Sequence, residues 1–263
     1  MSRPKHEYAV QSISNALRLL ECFGESEEFG LTELAKRLKL GKNTAFRALA
    51  TLVVHGYLEQ DEENGPYRIG PAALELAHRL GRGHVLLQKA RPILEELARS
   101  LGETAHLGVL RRFEVMHLDG RAADRPVIAG LRLGHRTPAH CTALGKVLLA
   151  HAEPAIREAF DRELIAAGLP AFTRSTITDR AKLLEELRAI PHRGFALDLA
   201  EWTEGLHCAA APVQDRTGAV VAALSVSGPS FRNDAPDLLV RHAPAVVRAA
   251  GRLSASLGAP APA

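Results

Sequence analysis

Two His-Cys dipeptides contain the side chains with the clearest potential for chemistry, His140-Cys141 and His207-Cys208. Imidazole and thiolate suit zinc, and a cysteine beside a histidine base can act as a nucleophile in hydrolysis or acyl transfer. However, the sequence has neither CxxC nor HxxxH spacing, and adjacent residues of a strand point to opposite faces. A metal site and a cysteine-dependent hydrolase therefore stay open as alternatives that the spacing does not favour.

A second set of polar side chains is cationic and lies in the first quarter of the chain. Between Leu34 and Leu58 there are five lysines and arginines and no acidic residue, although residues 1–72 together hold nine basic and ten acidic residues. This local segregation of positive charge is typical of a surface that contacts phosphates. A solvated helix face can carry the same charges, so the interpretation depends on the elements that position them.

The pattern predicts two short helices, a tight turn and a β-hairpin. Thr32 is a candidate N-cap of the first helix, and a second helix is expected from Lys42 to about Val54. The hairpin is expected around the turn signal Asn64-Gly65. This order of elements is the layout of a winged helix-turn-helix. The apolar side of the second helix is predicted to hold Ala45, Phe46, Leu49, Leu52 and Val53.

We therefore interpret this module as DNA-binding, with the helix at 42–54 in the major groove. Arg47 and Asn43 are the candidate base readers, because guanidinium suits guanine and carboxamide suits adenine. The lysines and Thr44 would mainly hold phosphates. The full set of candidate DNA-binding residues is Lys36, Lys39, Lys42, Asn43, Thr44, Arg47, Thr51 and Arg68.

The elements around this module indicate an α+β chain, with an antiparallel sheet flanked by helices in its second part. Strands are expected at 104–110, 113–118, 126–133, 195–198, 206–213 and 219–227. Helices are expected at 85–100, 143–151, 154–166, 179–190 and 235–256. A further helix at 12–23 precedes the winged module, with an apolar side formed by Ile13, Ala16, Leu17, Leu20 and Phe23.

Three hydroxyl groups in the second part could contact a ligand. Thr142 can cap the helix that follows it, whose free N–H groups would attract an anion. Ser225 and Ser227 alternate with apolar residues, so both hydroxyls face one side of a sheet. That side is either solvent or a polar pocket. A tightly packed helix start without a ligand stays open as the alternative for Thr142.

Composition and length bound the class of protein. The 263 residues suffice for two domains with separate cores. Three cysteines give no disulfide framework, and neither a membrane span nor a signal peptide is evident, so a cytoplasmic protein without membrane contact is expected. No motif indicates an enzyme or a cofactor. The predicted division is 1–72 for the winged module, 73–83 for a linker helix and hinge, 84–257 for the second domain and 258–263 for a disordered tail.

Residues 10–76 resemble the DNA-binding half of the IclR family of bacterial transcription regulators. The matching stretches are VQSISNALRLLECF, LTELAKRLKLGKNTAFRALATL and HGYLEQDEENGPYRIG. The similarity continues through PAHCTALGKVLLA, DLAEWTEGLHC and ALSVSGP, so it covers nearly the whole chain. The resemblance implies a GAF- or PAS-like effector domain behind the linker. It also implies homodimers through the N-terminal domains, often paired into homotetramers through the effector domains.

The resemblance further implies a cavity for a small organic molecule, often an acid. Asp198 would repel a bound carboxylate, so we expect it to meet a ligand hydroxyl or a counter-charge such as Arg132. Carried over position by position, the implied effector-binding residues are Ala129, Leu131, Ala143, Leu144, Asp198, Cys208, Ser225 and Ser227.

The sequence thus predicts a sequence-specific DNA-binding transcriptional regulator. Its operator affinity or activity would be controlled by a small organic effector, a carboxylic or aromatic acid. Its operator would be a palindrome with half-sites about one helical turn (~34 Å) apart or a multiple of that. A metal- or thiol-responsive regulator using His140, Cys141 and Cys208 is the alternative, followed by the cysteine-dependent hydrolase.

Overall fold

A computed structural model describes residues 8–23, 28–60, 65–165 and 168–260. The chain divides into two compact units, Met1–His84 and Val85–Ala263. The first unit contains helices α1 (Gln11–Cys22), α2 (Leu31–Arg37), α3 (Lys42–Val54) and α4 (Pro71–Gly83), and strands β1 (Glu28–Phe29), β2 (Leu58–Gln60) and β3 (Tyr67–Ile69).

The second unit contains a longer series of elements. Its strands are β4 (Thr104–Arg111), β5 (Glu114–Arg121), β6 (Arg136–Pro138), β7 (Ala196–Leu199), β8 (Leu206–Gln214) and β9 (Val220–Pro229). Its helices are α5 (Val85–Leu101), α6 (Ala143–Ala150), α7 (Pro154–Phe160), α8 (Arg180–Arg193), α9 (Ala235–Asp237) and α10 (Ala243–Ser256). Two π-helical turns, Asp161–Ile165 and Leu238–His242, continue α7 and α9.

The first unit is a winged helix-turn-helix, which confirms the prediction. α3 packs against both α1 and α2, and the strands form an antiparallel sheet in the order β1-β3-β2. The core has Leu19, Leu34, Leu49 and Leu58 at its centre, each at most 1% exposed. Burying side chains of this size contributes roughly 1.5–3 kcal/mol each, so the module has a core of its own. Asn64 of the predicted hairpin turn lies outside the described residues.

The turn between α2 and α3 uses a left-handed residue that is not glycine. Lys39 has a φ of 54°. The Leu40 N–H then donates to the Ala35 carbonyl at 2.9 Å, which closes the end of α2. Gly41 follows as the N-cap of α3.

The predicted cap of α2 is wrong, and the predicted apolar sides of α3 and α1 are only partly buried. α2 begins after Gly30 without a side-chain cap, so Thr32 already lies inside its first turn. Phe46 is 49% exposed, and Ile13 and Leu17 on α1 are 59% and 57% exposed. The buried side of α1 is centred on Leu19, because α1 has apolar residues on more than one side and periodicity alone does not say which side meets the core.

The second unit is built on one antiparallel sheet of six strands, in the order β6-β5-β4-β9-β8-β7. On one face, Leu94 of α5 and Val246 of α10 pack with Leu224 of β9. On the other face, Val147 of α6 packs with Ala223 of β9. The sheet therefore lies between two separate apolar cores, as expected for an α+β domain.

Alternation along the central strands gathers a set of buried polar side chains on the α6 face. Successive side chains of a strand point to opposite faces, and the buried residues of β4, β8 and β9 that face α5 and α10 are apolar. On the α6 face, His106 lies opposite Ser225, and Cys208 lies opposite Ser227. The register thus collects an imidazole, two hydroxyls and a thiol beneath α6.

The predicted strand at 126–133 does not form. This segment is irregular, and side chains rather than a strand ladder bind its carbonyls. The Val127 carbonyl accepts from Arg232 Nη2 at 2.9 Å, and the Ala129 carbonyl accepts from Thr104 Oγ1 at 2.6 Å. The edge position is taken by the short strand β6. An apolar run of eight residues does not distinguish a strand from a loop that is fixed in this way.

Gly145 lets α6 approach the segment before it, and Gly145→Ala should destabilise the fold. A Cβ at this position would lie 2.3 Å from the backbone of Ala139, so the backbone must shift, at a cost of about 2 kcal/mol. Urea unfolding of both forms measures the change.

Gly251→Ala is the matched control for this prediction. Gly251 is exposed on α10, and a Cβ there meets no heavy atom within 4 Å. Its replacement should raise the free energy of unfolding by up to about 1 kcal/mol, because alanine has the higher helix propensity. Equal effects of the two substitutions would contradict the packing argument.

Candidate functional site

One side of α3 presents the predicted base-reading residues. Ala45, Leu49 and Leu52 are at most 8% exposed and form the inner side of this helix. The Thr51 hydroxyl donates to the Arg47 carbonyl at 2.8 Å, so its proton is used within the helix. The outer side is exposed and presents Lys42, Asn43, Thr44, Arg47 and Thr51.

The remaining predicted DNA-binding residues have different surroundings. Lys36 and Lys39 are exposed at the end of α2 and in the turn after it. Arg68 of the wing lies 3.4 Å from a carboxylate oxygen of Glu59, and both side chains are roughly half exposed. Glu59 therefore neutralises part of the charge of Arg68.

A groove of about 700 Å³ runs beside the exposed side of α3. Its walls come from α1, α3, Tyr57 and Leu76 of α4. The exposed apolar residues Ile13 and Leu17 lie in it, with Thr44 and Arg47 at its α3 edge. The first unit therefore has an apolar surface next to its cationic one.

The second unit contains a small polar cavity where β8, β9 and the start of α6 meet. Its volume is about 20 Å³, which is room for roughly one water molecule. Six of the eight residues implied by the resemblance line it, namely Ala143, Leu144, Asp198, Cys208, Ser225 and Ser227. The other lining residues are His117, Arg132, Thr137, Thr142 and Trp202.

Ala129 and Leu131 do not line this cavity. Ala129 is 6% exposed and belongs to the core beneath α6, whereas Leu131 is 42% exposed. Both lie in the irregular segment that the sequence analysis predicted to be a strand. Their part in effector binding stays a prediction.

The additional lining residues had only faint signals in the sequence. Thr142 was recognised as a helix cap, and its hydroxyl does accept from the Gly145 N–H at 3.2 Å. His117 and Thr137 are brought together only by the pairing of β5 with β6, where His117 Nε2 lies 3.2 Å from Thr137 Oγ1. Trp202 enters from the loop after β7.

Asp198 is the buried acid of the cavity. It is 1% exposed, and its Oδ1 accepts from the Glu201 N–H at 2.7 Å. Burial raises the pKa of Asp198 to about 7, and the nearby Glu201 carboxylate adds to this, while the Glu201 N–H and Lys146 oppose it. The carboxyl group therefore titrates near neutral pH.

A buried ion pair lies behind Asp198. Lys146 of α6 is 1% exposed and donates to Glu201 Oε1 in a very short contact. Its Nζ also lies 3.6 Å from Glu186 of α8, which in turn pairs with Arg193. These contacts hold α6, α8 and the loop at 199–205 together. The two carboxylates also neutralise most of the charge of Lys146, which still lowers the pKa of Asp198 to some extent.

Arg132 covers the cavity together with Trp202. The guanidinium carbon lies 4.1 Å from the centre of the indole ring, which is close enough for a cation–π interaction. Arg132 forms no ion pair with the residues that the structure describes, although the charge of Asp198 acts on it. Burial lowers the pKa of Arg132, so this side chain is a partly desolvated cation.

Two histidines lie side by side on the cavity's β4–β5 side. The ring centres of His106 and His117 are 5.2 Å apart, and the two ring planes are nearly perpendicular. Burial lowers the pKa of His106 to about 4, with the Arg132 charge adding and the Gly130 carbonyl opposing. Burial lowers the pKa of His117 to about 3, with further contributions from His106, Arg132 and His135. Both rings are therefore neutral at physiological pH.

Neither Cys141 nor Cys208 has a reactive thiol. Burial raises the pKa of the Cys141 and Cys208 thiols far above their usual range, so neither is a ready nucleophile or metal ligand. His140 Nε2 lies 3.0 Å from the Pro170 carbonyl. Across the described part of the chain, no three His, Cys, Asp or Glu side chains form a group that could hold a metal ion.

None of the helices that the structure describes is long and apolar enough to cross a bilayer.

Comparison with known proteins gives matches to both units. The IclR helix-turn-helix domain family matches residues 12–62, and the family of the C-terminal part of the bacterial transcriptional regulator IclR matches residues 79–255. The chain is 37% identical to the HTH-type transcriptional regulator BhcR of Paracoccus denitrificans, over 93% of this chain and 86% of BhcR. This relative is a transcriptional regulator, not an enzyme.

Solved structures show the same fold. An IclR transcriptional regulator from Alicyclobacillus acidocaldarius superposes with a TM-score of 0.85 at 27% identity, covering 95% of this chain and all of that one. An IclR homologue from Microbacterium hydrocarbonoxydans, in complex with 4-hydroxybenzoate, gives a TM-score of 0.78 at 26% identity. The match covers 94% of this chain and 99% of the homologue.

Asp198→Asn should change how stability depends on pH. In the folded protein the carboxyl group keeps its proton up to about pH 7, whereas in the unfolded chain it loses the proton near its ordinary pKa of 3.8. The contribution of Asp198 to stability is therefore full below that pH and falls as the pH rises toward 7, by at most about 1.4 kcal/mol per unit. Urea unfolding at several pH values from about 5 to 8 measures this. The free energy of unfolding of the variant should rise relative to that of the wild type as the pH rises toward 7.

Asp215→Asn is the control for the pH series. Asp215 is half-buried in the turn between β8 and β9, where hydrogen bonds from Thr217 lower its pKa. It is ionised across the whole range in both states, so this variant should differ from the wild type by a constant amount. A constant difference for Asp198→Asn as well would show that Asp198 is ionised in the folded protein.

Proposed function

The chain belongs to the IclR family of bacterial DNA-binding transcriptional regulators, and we propose that a small organic acid bound in its second unit controls its affinity for an operator. The observation that carries the proposal is the polar cavity beneath α6. There a buried acid, two strand hydroxyls and a partly desolvated arginine converge. A homologue in complex with 4-hydroxybenzoate supports an acid as the class of effector.

The helix α3 is the proposed reading element in the major groove. Arg47 and Asn43 lie on its exposed side and can pair with guanine and adenine edges. Lys36, Lys39 and Lys42 surround them and would fix the register through phosphates. Because the sequence has no acidic residue between 34 and 58, no carboxylate of this segment would repel the DNA phosphates.

The protein would act as a dimer on a palindromic operator, in the cytoplasm. The exposed apolar residues Ile13 and Leu17 line a groove next to α3, and a second copy covering them would place two reading helices side by side. A two-fold dimer then requires half-sites about one turn (~34 Å) or a multiple apart. Pairing of dimers through the second units would give the tetramer.

Effector binding must distinguish two arrangements of the reading helices, because a ligand with equal affinity for both shifts nothing. We place this coupling at 81–83, the expected hinge of the linker at 73–83. That segment belongs to α4, which runs from Pro71 to Gly83 and directly precedes the second unit at Val85.

Arg47→Ala should lower affinity for operator DNA by roughly ten- to a hundredfold, since a bidentate contact to guanine contributes about 1–3 kcal/mol of discrimination. The fold should be unaffected, because the side chain is exposed. Fluorescence anisotropy with DNA from upstream of the protein's own gene measures the loss.

Arg99→Ala removes the same charge from an exposed position on α5 and serves as the control. Its operator affinity should stay within about twofold of the wild type, as expected for loss of a distant surface charge. Wild-type affinity in Arg47→Ala would mean that another surface reads the DNA.

Leu17→Glu should weaken the dimer by at least about tenfold, because it places a charge in an apolar interface. Sedimentation velocity over a range of concentrations measures this. Val54→Glu is the control: Val54 is 82% exposed and does not line the groove. An unchanged dimer in Leu17→Glu would place the interface elsewhere.

A further inference from the structure

We infer that Arg132 anchors the anionic group of the effector, and that this anion binds together with one proton, taken from solvent by Asp198. The inference rests on the proposed function, since it assigns how the same cavity recognises its ligand. It names a specificity residue outside the set implied by the family resemblance.

Arg132 lies in the site as a cation that forms no ion pair with any residue in the described part of the chain. Its side chain stacks on Trp202 and lines the cavity. A guanidinium that is partly desolvated and stacked on an aromatic ring still presents all its N–H donors at its edge, and these match a carboxylate bidentately. No carboxylate within the described residues fills that place.

The backbone around Arg132 is held while its side chain covers the cavity. The irregular segment is fixed at Val127 and Ala129 by Arg232 and Thr104. On the other side, the Gly134 N–H donates to the His117 carbonyl at 2.9 Å. An effector larger than one water molecule must therefore displace the Arg132–Trp202 cover rather than the whole segment.

The charge balance of the cavity requires the proton. Lys146 is already paired with Glu201 and Glu186, and His106 and His117 are neutral, so Arg132 and Asp198 remain as one positive and one negative group. An incoming anion would leave one excess negative charge in a buried site, which is costly. Protonation of Asp198 removes that excess.

Asp198 is placed to take up this proton. Burial already raises the pKa of Asp198 from its ordinary value to about 7. A nearby anion therefore needs to raise this pKa only a little further. The charged and titratable groups that face Asp198 come from α6 and the residues just before it, from the loop after β7, from β8 and from the irregular segment. They are Lys146, Cys141, Glu201, Cys208 and Arg132.

The chain contains one tryptophan, so its intrinsic fluorescence reports on the Arg132 stack directly. The experiment titrates the full-length protein with L-lactate and with 4-hydroxybenzoate, and with their neutral amides as matched probes. Calorimetry in two buffers of different ionisation enthalpy measures protons taken up per ligand. Anisotropy with upstream DNA is followed in parallel.

At least one acid should change Trp202 fluorescence at about pH 6, while its amide does not. Arg132→Met should weaken that binding by roughly tenfold or more, the range for loss of a charged hydrogen-bond partner. Arg136→Met should stay within about twofold, because Arg136 pairs with Glu114 outside the cavity.

The proton gives a second, independent readout. Affinity should fall by up to about tenfold per pH unit above pH 7, with close to one proton taken up per anion. Asp198→Asn should bind the acid at high pH as well as at low pH and take up no proton. Its amide oxygen can still accept from the Glu201 N–H.

Three results would overturn the role of Arg132 in binding the anion. They are wild-type affinity in Arg132→Met, equal binding of the acid and its amide, and no response to either acid at pH 6. Binding without proton uptake would overturn the role of Asp198. The proposed function fails separately, if the wild type does not bind upstream DNA or if no bound acid changes that binding. An acid that releases DNA from both wild type and Arg132→Met would overturn this inference alone.

Discussion

A lysine buried inside the second unit sets the arrangement around the cavity. An ammonium group at 1% exposure is tolerated only when carboxylates surround it, and Lys146 finds them on α8 and on the loop after β7. The pair draws Glu201 inward, and the Glu201 N–H in turn binds Asp198. The position of the cavity's acid and of the neighbouring Trp202 therefore follows from the need to neutralise one charge on α6.

The cavity that results is small and holds one cation and one acid. Its volume of about 20 Å³ leaves no room for an organic ligand unless lining side chains such as Arg132 and Trp202 move. The neutral His117, the raised pKa of Asp198 and the guanidinium of Arg132, which forms no ion pair within the described residues, favour a neutral or anionic ligand over a cation. In the proposed function, an effector would enter as Arg132 and Trp202 move, and it would thereby distinguish two states of the second unit.

The first unit has a different arrangement, in which an apolar surface lies next to a cationic one. The inner side of α3 packs in the core, and its outer side is exposed to solvent. The exposed apolar residues of α1 form the apolar surface beside α3. Ile13 and Leu17 belong to the predicted apolar side of α1, and both are exposed. Periodicity finds an apolar stripe but does not tell whether the stripe meets the protein's own core or another surface.

The sequence by itself determined the winged helix-turn-helix, the α+β second domain and most element bounds, because local periodicity, turns and caps such as Thr142 and Asp179 are short-range physics. It also pointed to Asp198, Ser225 and Ser227. Only the tertiary structure decided that 126–133 is a loop, that Arg132 stacks on Trp202 and that His106 lies beside His117. Those contacts join residues far apart in the chain. Strand register and the pairing of buried charges fix them, and neither leaves a local pattern in the sequence.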